Sequence, residues 1–374
     1  MLSAEELFEN IVDKNHPDDT VLTIIQGSGT LPRSESSRNI RYDEKGVANY
    51  KKVNTYDYII HLRSFEGGLE MANSQGIISP AYTVLRSKKE FAPLFYDAYF
   101  HTDEFINHIL AKSVEGIRDG RQISYEAFKW LPIPTCNIEE QKKIAALFRV
   151  LNNRIKTQQL LVEALKKYKR GFAKQIFEEL IQQNSLKEMD ELFSFIRNGF
   201  VGTVSPYFTD KNNGVRYLQG TNIHSGKITD DTVFYVSRDF NDKHRKNILK
   251  PDDILVVQSG HVGECAVVGE EYAEANCHAL IIMSNAGNCC SNYVAQYLNS
   301  DIGVQKIAAI TTGNTIKHIL ATTISKVTIP TPALEKQRKI ATVLDLMDKH
   351  IDFESEILMQ LTSSRQGLLQ QLFI

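Results

Sequence analysis

The side chains best suited to chemistry sit in short polar loops between apolar runs. In the C-terminal half these are Gln219, Asn222 and His224 (QGTNIH), Gln258, Ser259 and His261 (QSGH), and Thr312, Gly313, Asn314 and Lys317 (TTGNTIK). Amide, hydroxyl and imidazole groups of this kind hydrogen-bond nucleobase edges and phosphates. The N-terminal half offers Arg33, Arg38 and Arg41 (LPRSESSRNIR), Arg63 with Ser64, and Arg121 with Gln122 (DGRQ). Arginine is the side chain best shaped to read guanine. Lys243 and Arg245 (KHRK) add a basic run that suits either phosphate or solvent. Gly, Asn and Ser are also default turn formers, but recurrence at matching places in both halves favours binding.

Catalytic patterns are missing. The chain has no GxxxxGK[ST] phosphate loop, no HExxH pair and no GxSxG elbow. Cys277 and His278 are adjacent, and in a strand they would face opposite sides, which suits two structural residues better than a nucleophile and its base. Neither Ser79-Pro80-Ala81-Tyr82 nor Ser205-Pro206-Tyr207-Phe208 matches the Asp/Asn-Pro-Pro-aromatic segment that adenine methylation needs. The five cysteines contain no CxxC pair, so neither a disulfide framework nor a zinc knuckle is indicated, and no metal site is expected.

The elements that position these loops are set by an internal repeat. Ile133–Phe177 aligns without a gap on Ile329–Phe373, a shift of 329 − 133 = 196, with 13 of 45 positions identical. The identities include Ile133/Ile329, Pro134/Pro330, Thr135/Thr331, Glu139/Glu335, Gln141/Gln337, Ile144/Ile340, Ala145/Ala341 and Gly171/Gly367. The same shift pairs DYII at Asp57 with DILV at Asp253, and a slightly longer one pairs the regions of Tyr99 and Tyr297. The duplication therefore reaches into the domains that precede each repeat.

Both repeats read as long helices of roughly 60 Å. Their seams are Ile144, Phe148, Leu151, Ile155, Val162, Leu165, Phe172 and Ile176, and Ile340, Leu344, Met347, Ile351, Leu358, Leu361, Leu368 and Leu372. Alternating steps of three and four describe a coiled coil, with Gln158 and Glu354 as equivalent polar positions in the seam. Ile138–Leu180 carries ten Lys/Arg against five Glu, or +5, and Leu334–Ile374 five against six acidic residues, or −1. The two helices thus suit each other better than themselves.

The expected fold is α/β: two mixed α/β recognition domains joined by two long antiparallel helices that form a coiled-coil spacer, with a pseudo-two-fold internal repeat. The boundaries are 1–132 for the first domain, 133–185 for the first helical spacer, 186–328 for the second domain and 329–374 for the second spacer. At 374 residues the chain is long enough for several cores. No run approaches the roughly 20 apolar residues of a membrane helix, and the acidic start MLSAEELFEN is unlike a secretory signal, so a cytoplasmic protein is expected. The net charge of −2 is poor for a nucleic-acid binder, so cations must come from local clusters or from a partner.

A family resemblance fits these features. A Thr-Gly or Asp-Gly loop, then Ile-Pro-x-Pro or a variant, then Glu-x-Gln-x-x-Ile-x-x-Leu opening a long helix occurs twice, and this resembles the specificity subunit of type I restriction-modification systems. The second copy fits best, with Thr312-Gly313, Ile329-Pro330-Thr331-Pro332, Glu335, Gln337, Ile340 and Leu344; the first has Cys136 in place of the second proline and Asp119 before Gly120. Gly76–Arg86 (GIISPAYTVLR) also looks like a first recognition-domain segment of that family.

The resemblance implies a non-catalytic reader of a bipartite, asymmetric site in double-stranded DNA, one half per domain. It implies two methyltransferase subunits as partners, which would carry S-adenosylmethionine, no cofactor in this chain, and restriction subunits with ATP-dependent translocase and nuclease activity. Helix packing and partner docking would fall to Glu139, Gln141, Ile144, Phe148, Leu151 and Ile155, and to Glu335, Gln337, Ile340, Leu344, Met347 and Ile351. A two-domain scaffold binding protein or RNA through the same loops is the alternative.

Overall fold

The computed structural model describes residues 1–36, 44–116, 121–313 and 317–373. They form two compact units: the first is Met1–Leu160 with Ser355–Ile374, the second Leu161–Glu354.

The first unit is built on an antiparallel sheet of β1 (Phe8–Ile11), β2 (Tyr58–Ile60), β3 (Glu70–Met71) and β4 (Thr83–Ser87), in the order β1-β4-β2-β3. The second has β5 (Phe193–Asn198), β6 (Ile254–Val257), β7 (Cys265–Val267) and β8 (Leu280–Asn285), in the order β5-β8-β6-β7. The strand order is therefore repeated. Both central strands, β2 and β6, are buried on both faces, and the two-residue period of a strand divides their side chains between two cores. Ile254 and Val256 join one cluster while Leu255 and Val257 join another; Tyr58 and Ile60 are split from Ile59 in the same way.

Further elements repeat around each sheet. The helices Pro93–Phe100 and Ser291–Leu298 correspond, with Tyr99 and Tyr297 both buried. A short helix opens each domain behind a glutamate that reaches back to the chain: Ser3 N donates to Glu6 Oε2 at 2.7 Å, and Glu188 N to Glu191 Oε1 at 2.9 Å.

The two long helices are α1 (Ile138–Gln183) and α2 (Leu334–Leu372), and each unit contains part of both. In the first unit Phe148 stacks on Phe373 at 6.4 Å, and Arg365 Nε donates to Asn152 Oδ1 at 2.7 Å, so the segments run antiparallel. In the second, Lys169 Nζ meets both carboxylate oxygens of Asp348 at 2.6 Å. Phe373 packs on Phe95 (5.2 Å) and Tyr99 (5.5 Å). Its repeat equivalent Phe177 packs on Tyr293 (5.8 Å) and Tyr297 (5.0 Å). Leu372 departs from the expected seam at 40% exposure, because the helix ends there and Phe373 takes the place in the core.

The repeated glutamines have a clear structural task. Gln141 Oε1 accepts from Ala92 N at 3.2 Å while Nε2 donates to Cys136 O at 3.0 Å. Gln337 does the same with Cys290 N (3.0 Å) and Pro332 O (2.8 Å). Each amide clamps the start of its helix to the loop before the neighbouring helix. Gln141, Gln337, Phe148, Ile340 and Leu344 are buried in these cores, so of the two roles expected for this set, helix packing and partner docking, they take the packing one. Leu151, Ile155, Met347 and Ile351 are half-buried along the helices. Glu139 and Glu335 are exposed beside Lys142 and Lys339.

The hairpin Leu22–Pro32 of the first unit is pinned at its turn by a buried carboxylate. Glu70, fully buried, accepts from Gly27 N at 2.5 Å and Gly29 N at 2.8 Å. Both glycines have positive φ, and a Cβ on Gly29 would lie 2.5 Å from Met71 O. His101 balances the charge, its Nε2 lying 3.4 Å from Glu70 Oε1 and its Nδ1 2.7 Å from Asp97 O. Burial alone would lower the His101 pKa, but Glu70 and Asp97 outweigh it and raise the value to about 9.

Two measurements test these links. Gln337→Leu leaves Cys290 N–H and Pro332 C=O unpaired and should cost roughly 1–3 kcal/mol in urea unfolding, whereas Val343→Ala, at an exposed site, should change little. The folded pKa of His101 lies above its ordinary 6.5, so its contribution is complete below that value and is lost as pH rises through about 9. The first unit should therefore lose stability between neutral pH and pH ~10, and His101→Gln should flatten that slope.

Candidate nucleic-acid interface

The second unit gathers its three polar loops into one neighbourhood. Gln258 follows β6 directly, and its backbone O accepts from Ile319 N at 3.1 Å. Ser259 and Thr312 each form a β-bridge with His318. On the other side His261 Nε2 lies 3.1 Å from Ile223 O, and its ring stacks on His224 at 5.4 Å. His224, Ser259, His261, Thr312, Gly313 and Lys317 are exposed, and Gln219 is half-buried. Asn314 lies outside the described residues.

One expectation in this unit is corrected. Asn222 is 1% exposed: its Oδ1 accepts from Gln219 N, and its Nδ2 donates to Thr229 O and Thr232 O, so it braces the loop from within. Lys243 and Arg245 are exposed: Lys243 ends the helix Arg238–Lys243, and in the turn after it Arg245 pairs with Asp242 at 3.2 Å and His244 packs on Phe200 and Phe240.

In the first unit the arginines surround the loop after β2. Arg63 is exposed and pairs with Glu66 at 3.0 Å. Arg121 lies over the Phe65 ring at 4.2 Å, and Gln122 is exposed in the adjoining strand. Arg33 follows the hairpin pinned by Glu70, and its charge reaches Tyr82, whose ring neighbours His61 at 6.4 Å. Ser64 is corrected: it is fully buried, and its Oγ accepts from His61 N at 2.9 Å, so it shapes the turn rather than facing outward. Arg38 and Arg41 lie outside the described residues.

One residue escaped sequence reasoning. His61 is the first residue after β2, as Gln258 is after β6. The 196-residue shift sets His61 opposite Val257 (61 + 196 = 257), because β6 runs one residue further, and so hides the match. His61 Nε2 and Gln258 Oε1 are both buried with no hydrogen-bond partner among the described residues. Burial lowers the His61 pKa, which favours a neutral ring able to donate or accept. Two corresponding polar atoms left unsatisfied behind exposed loops are sites where an incoming ligand would regain a bond.

Residues 184–363 match the family described as type I restriction modification DNA specificity domain. The chain is 22% identical over 337 residues to the type I restriction enzyme MjaVIII specificity subunit of Methanocaldococcus jannaschii, covering 86% of this chain and 79% of that one. It is 24% identical over 151 residues, 38% of this chain and 31% of the other, to the EcoKI specificity subunit of Escherichia coli. The fold is shared with the S subunit of the type I restriction-modification system of M. genitalium, at a TM-score of 0.59 and 16% identity over 100% of this chain and 95% of that one. The repeated sheet order and paired long helices accord with these similarities: the chain is similar in sequence to type I restriction enzyme specificity subunits and shares the fold of an S subunit, and residues 184–363 match the family's DNA specificity domain.

Proposed function

We propose that this chain is the DNA sequence-recognition subunit of a type I restriction-modification complex, reading one half of an asymmetric bipartite site with each unit. The observation that carries the reading is duplication: sheets of the same strand order, each followed after its central strand by a loop with a buried polar atom still unsatisfied. Chemistry differs between the copies. The first unit presents Arg33, Arg63 and Arg121, suited to guanine and phosphate; the second presents amides, hydroxyls and imidazoles around Gln258. Catalysis is assigned to partners, with S-adenosylmethionine bound by methyltransferase subunits and no cofactor in this chain. Partners would also supply cations that a chain of net charge −2 lacks. Among the described residues no helix is long and apolar enough to cross a membrane, which suits a complex working on DNA in the cytoplasm.

Partner docking has a repeated feature of its own. Leu147 and Val150 on α1 are exposed, and the shift of 196 places Val343 and Leu346, also exposed, at the equivalent positions on α2. One apolar pair per unit supports two copies of the same partner subunit.

Adding the purified chain to its methyltransferase partner should produce adenine methylation at one bipartite motif; a pattern independent of this chain would refute the reading. In that assay Gln258→Ala and His61→Ala should each relax or weaken one half-site by about 1–3 kcal/mol and leave the other half unchanged. Val343→Asp with Leu346→Asp should weaken capture of one methyltransferase subunit by ~10-fold or more in a binding titration, with the second subunit retained until Leu147 and Val150 are also changed.

A further inference from the structure

We infer that His224, His261 and Glu264 form a binding site for a divalent transition-metal ion, zinc in the first instance, joining two of the second unit's polar loops. One ligand atom from each residue lies within 4.8 Å of the others. The imidazole rings are nearly parallel, at 18°, with centroids 5.4 Å apart, and His261 Nε2 is 3.6 Å from Glu264 Oε2. Two neutral imidazoles and one carboxylate are a donor set that suits zinc. An ion bound at about 2.0–2.2 Å would bring tetrahedral ligand atoms to about 3.4 Å apart. Both histidines are exposed, so small side-chain rotations close that gap.

The surroundings favour such a site. Ser225 N donates to Glu264 Oε1, which orients the carboxylate and leaves Oε2 facing the histidines. Ser225, Gly226, Gly260 and Gly263 all have positive φ, and a Cβ on Gly263 would come within 2.4 Å of Ile307, so local geometry holds both turns. Lys227, in the same hairpin, is paired with Asp352, which offsets its repulsion of a cation. A cavity of about 1250 Å³ opens beside His261 and Glu264 and gives a path for the ion. Three protein ligands would leave a coordination position for water. The buried thiols compete poorly, because burial pushes Cys277 up to about 12 and Cys265 further in the same direction.

The absence of a metal motif from the sequence has a simple cause: His224 and His261 are 261 − 224 = 37 residues apart, and strands bring them together. The site does not depend on the proposed DNA-reading role.

The test is equilibrium dialysis of the full chain against zinc, followed by metal analysis and by cobalt substitution. One zinc per chain is expected, and cobalt should show d–d bands without a thiolate charge-transfer band. His224→Ala and His261→Ala should each abolish that equivalent, with circular dichroism confirming the fold; His224 is exposed, so its variant serves as the control least exposed to misfolding. No retained zinc, zinc retained in the His224→Ala variant, or a thiolate band would overturn the site. An unmodified chain that retains no zinc yet still directs site-specific methylation would sink this inference alone.

Discussion

The structure depends on the exchange of helix ends between the two copies of the repeat. Phe177 lies near the end of α1, yet it packs on Tyr293 and Tyr297 of the second domain; Phe373 ends the second copy and packs on Phe95 and Tyr99 of the first. Each domain's core is therefore completed by the start of the helix that follows it and the end of the helix from the other copy. Burying one aromatic side chain is worth about 1.5–3 kcal/mol, so neither domain reaches its full core without both helices.

The glutamine clamps make the exchange directional. An apolar seam alone tolerates sliding by a heptad, since leucine and isoleucine fill similar holes. Gln141 and Gln337 each satisfy one backbone N–H and one C=O that would otherwise be buried and unpaired, and only one register does so. The cost of the wrong register falls on the amide pairs, while the benefit of burial falls on the aromatics.

Much of this was legible in the sequence because a repeat and a helical period both survive in residue type alone. Identities such as Gln141/Gln337 and Ile144/Ile340 marked the helices, and the polar loops were found by composition. What could not be read was direction within a loop. In QGTNIH, Gln219 and Asn222 are chemically alike, but a single 3-10 turn sends Asn222 inward to three backbone partners. Ser64 turns inward for a similar reason, at the start of a one-turn helix. His61 was missed because β6 outlasts β2 by one residue, and Glu264 because a carboxylate three residues beyond QSGH carries no mark of the histidine that approaches it from another strand.

The chemical contrast between the units bears on how an asymmetric site would be read. Arginine brings charge and a fixed bidentate fork, so a unit relying on Arg33, Arg63 and Arg121 gains affinity and guanine preference together. Amides and neutral imidazoles bring pattern without charge, so a unit relying on Gln258 and its neighbours depends on close fit and on loops held still. The first unit fixes the hairpin that precedes Arg33 with a buried carboxylate, Glu70 on Gly27 and Gly29, and the second sets Glu264 beside its imidazole pair, with Ser225 holding the carboxylate in place. In both copies an acidic side chain takes up backbone N–H groups of a neighbouring turn, Gly27 and Gly29 in the first and Ser225 in the second, and so holds the loop that carries the polar groups.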